Sequence, residues 1–119
     1  MGARGQDAAA GKTLRVALIG CGDRGCGALL SNIATSVMAE FVAFVDPDAR
    51  AIARARGQIK KYRPDAKTSV IAAFGDYRDF YKQMAGSVDA VFIATPNHQH
   101  CLPALLAFRN GIHAYVEKP

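Results

Sequence analysis

The sequence predicts an α/β fold, a doubly wound parallel sheet of about five strands, on three observations. Short apolar runs of strand length alternate with stretches whose apolar residues recur at helical spacing. The first run ends in a glycine-rich loop that leads directly into a helical stretch. The last two runs end in polar clusters, "TPNHQH" and "EKP", at what would be the carboxyl edge of the sheet.

Residues 1–13 read as a disordered tail, since "MGARGQDAAAGK" lacks the apolar stretch of a signal peptide. "LRVALIG", Leu14 to Gly20, is apolar throughout, as a strand buried on both faces requires. In "RGCGALLSNIATSVMA" the spacing of Leu29, Leu30, Ile33, Val37 and Met38 gives a helix. "FVAFVD" is a second buried strand, and "DARAIARARGQIKKY" an amphipathic helix with its basic residues toward solvent, stopped by Pro64. The signal weakens between 65 and 76, where "TSVIAAF" holds a short third strand, before the helix "YRDFYKQM". "VDAVFIAT" is the fourth strand, and Pro96 turns "PNHQH" into a loop. Pro103 suits the first turn of the helix "PALLAFRN", Gly111 suits its C-terminal cap, and "HAYVE" is a fifth strand read as buried. With no repeat or linker, residues 14–119 form one domain.

The chain's 119 residues suffice for a single core, and its half-hydrophobic composition excludes a disordered or collagen-like protein. Of the formal charge of +5, much sits in Arg50, Arg54, Arg56, Lys60, Lys61 and Arg63. No aromatic residues interleave with these, so they read as a solvated helix face rather than a nucleic-acid patch, and a small anionic ligand is the expected partner. Cys21, Cys26 and Cys101 make an odd set without CxxC, which suggests neither disulfides nor zinc and fits a reducing cytoplasm. No apolar run reaches membrane-spanning length, so no membrane partner is expected.

"GCGDRG" at 20–25 matches G-x-G-x-x-G in the context that gives the pattern meaning, after a strand and before a helix. Gly20 serves the tight turn, Gly22 lets backbone approach a pyrophosphate, and Gly25 lets the helix pack closely on the strand. Asp46 ends the second strand 21 residues after Gly25, where a carboxylate accepts hydrogen bonds from an adenosine ribose. Its charge disfavours a 2′-phosphate, so NAD is expected, with NADP the minority option that Arg50 keeps open. The competing reading takes Asp46-Pro47-Asp48 as only a turn and helix cap. These elements alone also suit S-adenosylmethionine. Thr95, Pro96, Asn97, His98 and His100 place amide, hydroxyl and imidazole groups along a nicotinamide ribose; only Cys101 stands near the His pair as a further soft ligand, so no metal is expected.

In order and spacing, "GCGDRG", Asp46, "ATPNHQH" and "VEKP" resemble the Rossmann-like nucleotide-binding domain of the Gfo/Idh/MocA family of NAD(P)-dependent oxidoreductases, from about Leu14 to Pro119. The variant with Arg24 is similar to the branch containing NAD-dependent glycoside-processing members. The resemblance implies cofactor contacts from Gly20, Gly22, Asp23, Arg24, Gly25, Asp46, Thr95, Pro96, Asn97, His100 and Glu117. It implies hydride transfer at a hydroxyl carbon of a sugar, cyclitol or related compound, with Lys118 as the catalytic lysine beside the substrate. Members continue into a substrate domain, so the chain is expected to be a truncated member, not catalytic alone, meeting a small-molecule substrate only if that domain is supplied. Its fifth strand is then an unprotected edge open to self-association. A non-enzymatic dinucleotide-sensing or interaction module is the alternative from another class.

Overall fold

A computed structural model describes residues 13–22, 30–34, 36, 38–96 and 100–117. The tail read at 1–13 lies outside them except for Thr13. Five strands, β1 (Leu14–Ile19), β2 (Ala39–Val45), β3 (Ala72–Phe74), β4 (Ala90–Ile93) and β5 (His113–Val116), form one sheet in the order β3-β2-β1-β4-β5. Every pairing is parallel. The helices are α1 (Leu30–Ala34), α2 (Ala49–Tyr62), α3 (Tyr77–Met84) and α4 (Cys101–Arg109). The predicted class and strand number are thus observed.

Alternation along β1 divides the core between the two faces of the sheet. Val16 and Leu18 pack with Leu30 and Ala34 of α1 and Ala51, Ile52, Ala55 and Ile59 of α2. Ala17 and Ile19 pack with Phe80 and Tyr81 of α3 and Ala107 of α4. The β1–β2 register slips between Val16 and Ala17, so β2 carries one extra residue there. Phe41 and Phe44, which strict alternation would set on opposite faces, therefore both join the α1/α2 layer, their ring centroids 5.4 Å apart. On the other face the buried Tyr81 hydroxyl donates to the Pro103 carbonyl at 2.9 Å, tying α3 to α4. Burial pushes the Tyr81 phenol up from its ordinary range.

At the amino edge, Arg15 and Asp89 form a two-point pair, Nε to Oδ2 at 3.2 Å and a second guanidinium nitrogen to Oδ1 at 3.1 Å. The Arg15 backbone N–H also donates to Oδ2 at 2.8 Å. Asp89 is only 8% exposed, so these partners offset the cost of burying its charge.

Three expectations are corrected. The first helix was expected to run on toward Met38, but Ser36 already lies outside it and its N–H donates to the Ile33 carbonyl. Arg63 holds the chain beyond the helix: its guanidinium donates to the carbonyls of Ala34, Ser36 and Ala39, the first of which is the acceptor that a helix reaching Met38 would have used. Second, Arg63 and Arg56, which donates to the Thr68 carbonyl, are therefore structural ties and not merely a solvated face. Third, β5 is exposed at all four residues rather than buried. Among the described residues it pairs only with β4, and the outer face of α4 beside it leaves Leu102, Leu105 and Phe108 open, Phe108 at 77%.

The C-terminus of α4 is as expected. Gly111 takes φ +69°, its N–H donates to Phe108 and that of Ile112 to Ala107, the paired bonds of a Schellman cap with buried Ile112 as its apolar anchor. Among the described residues no helix is long and apolar enough to cross a membrane.

Candidate functional site

The residues that leave the strands at the carboxyl edge are held in one row by ladder bonds. Gly20 N–H donates to Val45 at 2.8 Å, Asp46 to Phe74 at 2.9 Å, Ala94 to Ile19 at 2.8 Å and Glu117 to Ile93 at 2.9 Å. From β1 the chain winds outward through β2 to β3 and then returns to β4 on the other side of β1. The crevice outside the ends of β1 and β4 is the topological switch point, where open α/β sheets bind ligands.

Gly20 closes this crevice on the protein side. Its φ is +93°, and a Cβ there would lie 2.7 Å from Thr95 N and 2.8 Å from the Ala94 carbonyl carbon. The turn out of β1 thus runs directly against the turn out of β4, which only glycine permits. Gly22 differs: a Cβ added to it meets no atom within 4 Å. Nothing among the described residues demands glycine at that position, and the space suits a ligand that approaches the backbone closely.

Asp46 joins the two loops nearest the crevice. Its Oδ2 accepts the Cys21 N–H at 2.8 Å and its Oδ1 accepts the Asp48 N–H at 2.8 Å. Each carboxylate oxygen has a second lone pair, so two acceptor sites remain for hydroxyl groups such as those of a ribose. Asp48 caps α2, accepting the Arg50 N–H at 2.9 Å. The turn-and-cap reading and the ribose reading are therefore compatible, because Asp48 does the capping while Asp46 orients the glycine loop.

Beyond β4, Thr95 is half-buried and Pro96 exposed. His100 sits at the start of α4 and makes no side-chain cap; its Nε2 lies within hydrogen-bonding distance of the Thr95 carbonyl. A carbonyl only accepts, so Nε2 carries the proton in that bond. The imidazole thus closes the loop whose ends are Thr95 and His100. The site candidates Asp23, Arg24, Gly25, Asn97, His98 and Lys118 lie outside the described residues.

Cys21 was missed as a member of this site. Its backbone N–H meets Asp46 and its buried sulfur sits 3.8 Å from the Val45 carbonyl and 4.0 Å from that of Leu18. The only signal in the sequence was its place between two glycines, which demands a small residue without saying why.

The described site residues fit a dinucleotide, in the open cradle at Gly22 and the spare acceptors of Asp46. A family-wide sequence profile described as "Oxidoreductase family, NAD-binding Rossmann fold", that of Gfo/Idh/MocA, matches residues 14–119. The chain belongs to this family. It is an NAD-binding Rossmann domain, as the sequence predicts. It is similar to "Glycosyl hydrolase family 109 protein 2" of Shewanella sp. (strain ANA-3), 36% identical over 106 residues, or 89% of this chain and 23% of the relative. Two solved structures share the fold and 28% identity. One is a dehydrogenase from Chromobacterium violaceum, with a TM-score of 0.71 over 91% of this chain and 28% of that one. The other is apo scyllo-inositol dehydrogenase from Lactobacillus casei, with a TM-score of 0.68 over 92% and 29%. A third, the WlbA dehydrogenase from Bordetella pertussis in complex with NADH and UDP-GlcNAcA, is 26% identical with a TM-score of 0.67 over 91% and 29%. The chain thus spans about a quarter of the length of the relatives it matches.

Proposed function

We propose that this chain is the cofactor-binding part of a cytoplasmic dehydrogenase acting on a sugar, cyclitol or related hydroxyl compound, and that catalysis needs a substrate domain in addition. The observation that carries this reading is the juxtaposition of the Gly20 turn that only glycine permits, the open Gly22 and the doubly hydrogen-bonded Asp46 at the switch point. When bound, the nicotinamide would supply the hydride acceptor. Gly20 and Gly22, with Asp23, Arg24 and Gly25 of the same motif, would receive the pyrophosphate. Asp46 would accept from the adenosine ribose. Thr95, Pro96, Asn97 and His100 would line the other ribose, the His100 imidazole fixing their loop through Thr95. Glu117 would contact the cofactor beside Lys118, whose neutral amine would take the proton of the reacting hydroxyl as the hydride leaves and whose ammonium would return it in the reverse direction. The glycoside and inositol names among the relatives support the substrate class.

The test is calorimetric titration of the full chain with NAD, NADH and NADPH. Binding of NADH with an affinity at least about tenfold above NADPH is expected. A folded chain that takes up neither nucleotide overturns the reading, and sugar or inositol oxidation by the chain alone overturns its second clause.

The β5 edge with Leu102, Leu105 and Phe108 beside it would receive that further domain. Parallel strands occur almost only with both faces covered, and β5 has neither covered. In its absence the apparent mass should rise with concentration in light scattering. Phe108→Glu with Tyr115→Lys, both at exposed positions, should keep the chain monomeric. A wild-type chain that stays monomeric at about millimolar concentration removes this assignment.

A further inference from the structure

Asp46 is one of two carboxylates in the turn between β2 and α2, and its neighbour does more than cap the helix. Asp48 accepts the Arg50 backbone N–H and also grips the Arg50 guanidinium at two points, Nε to Oδ1 at 3.2 Å and a terminal nitrogen to Oδ2 at 3.2 Å. One carboxylate therefore holds both ends of the residue two positions on. The chain of contacts is continuous from the glycine loop: Cys21 N–H to Asp46, Asp48 N–H to Asp46, Arg50 to Asp48.

Arg50 is the cation in the first turn of α2, directly after this turn. Its side chain is 92% exposed, so nothing but Asp48 fixes its direction among the contacts described for it, and a guanidinium is the group best shaped to receive a phosphate at two points. The pairing does not titrate away at ordinary pH. Arg50 holds the Asp48 carboxyl below the usual carboxylate range, chiefly through the side-chain hydrogen bond, and Arg54 adds to this through its charge. A carboxylate lowered in this way keeps its partner above its ordinary range and loses it only as the pH falls through the lowered value.

We infer that Asp48 is a second determinant of the preference for NAD over NADP: it is a positioning residue that withholds Arg50 from a 2′-phosphate on the adenosine ribose. This rests on the cofactor reading of Asp46 and deepens it. Asp46 opposes the phosphate by its own charge, and Asp48 occupies the guanidinium that would otherwise compensate. Removing the charge of Asp46 alone therefore leaves the cation occupied. The preference is set by two carboxylates acting on different targets.

The fold contains its own control. At the start of α3, Asp76 caps the helix and forks Arg78 in the same way, at 3.0 and 2.8 Å. That pair follows β3, beyond β2 from the crevice. A merely structural role for such forks would make the two pairs equivalent toward nucleotides.

The experiment measures the ratio of NADPH to NADH dissociation constants by competition on the full chain, for wild type, Asp48→Asn, Arg50→Ala, the double variant and Asp76→Asn. Asparagine caps a helix about as well as aspartate, so the fold is retained, as a thermal melt checks. Asp48→Asn should lower the ratio about fivefold, through tighter NADPH and unchanged NADH, a change on the scale of one freed charge-assisted contact. Adding Arg50→Ala should abolish the gain. Arg50→Ala alone and Asp76→Asn should leave the ratio within about twofold of wild type. An unmoved ratio in Asp48→Asn overturns the inference while leaving NADH binding intact. A gain that persists without Arg50, or that depends on Arg54→Ala instead, overturns it as well. Loss of both nucleotides from the folded wild-type chain overturns the cofactor reading and this inference together.

Discussion

Gly20→Ala is expected to lower the melting temperature by about 10 °C or more, whereas Gly22→Val leaves it nearly unchanged and weakens NADH binding at least about tenfold. The two glycines lie two residues apart in one motif, yet the fold needs only the first, and the second serves the ligand. At Gly20 the backbone sits at φ +93°, which L side chains rarely adopt, and the added Cβ would press to 2.7–2.9 Å on main-chain atoms of Ala94 and Thr95. Main-chain atoms at the end of a buried central strand cannot swing aside as a side chain could. Strain and overlap each cost roughly 1–3 kcal/mol, a large part of the stability of a domain this size. Relief would come by separating the ends of β1 and β4, which also spoils the crevice. At Gly22 an added Cβ meets no atom of the described residues within 4 Å, so the main cost is expected when a ligand occupies that space. Thermal melts and NADH fluorescence titrations on both variants separate the cases. A valine at position 22 that binds NADH like the wild type would mean that no ligand backbone passes there, and the pyrophosphate assignment would fall.

That contrast also shows how much the sequence could reveal. The motif, its place after a strand, and the polar clusters at the carboxyl ends of the last two strands followed from residue types and periodicity; the strand order that makes the crevice a switch point did not. The α3 helix, expected over "YRDFYKQM", runs from Tyr77 to Met84 because Asp76 caps it where its apolar pattern begins. Illegible features were those set by partners distant in sequence. Arg56 and Arg63 carry the signature of a solvated basic face, and only the fold brings the carbonyls of Thr68, Ala34, Ser36 and Ala39 to them. The apolar character of "HAYV" correctly marked a strand but misplaced it inside. Composition reports what a strand needs on its faces, and β5 has an apolar surface without the layer to cover it. β3 was faint because three residues, Ala72 to Phe74, give no periodicity to count.

Asp46→Ala should weaken NADH binding about a hundredfold, the loss of about two hydrogen bonds to a charged acceptor, and Asp46→Asn roughly tenfold. Alanine removes two things together. The ribose loses its acceptors, and the Cys21 and Asp48 N–H groups lose the carboxylate that joins the glycine loop to the start of α2. Asparagine keeps one oxygen and replaces the other by an amide that can only donate, so it can satisfy Cys21 or Asp48 but not both. The carboxyl is half-exposed, so water can solvate the orphaned N–H groups in the free protein and the melting temperature should fall only slightly. If calorimetry instead finds a large stability loss with NADH affinity unchanged in the surviving folded fraction, Asp46 is a structural tie alone. The dinucleotide would then have to be held by the glycine loop and the β4 turn without it.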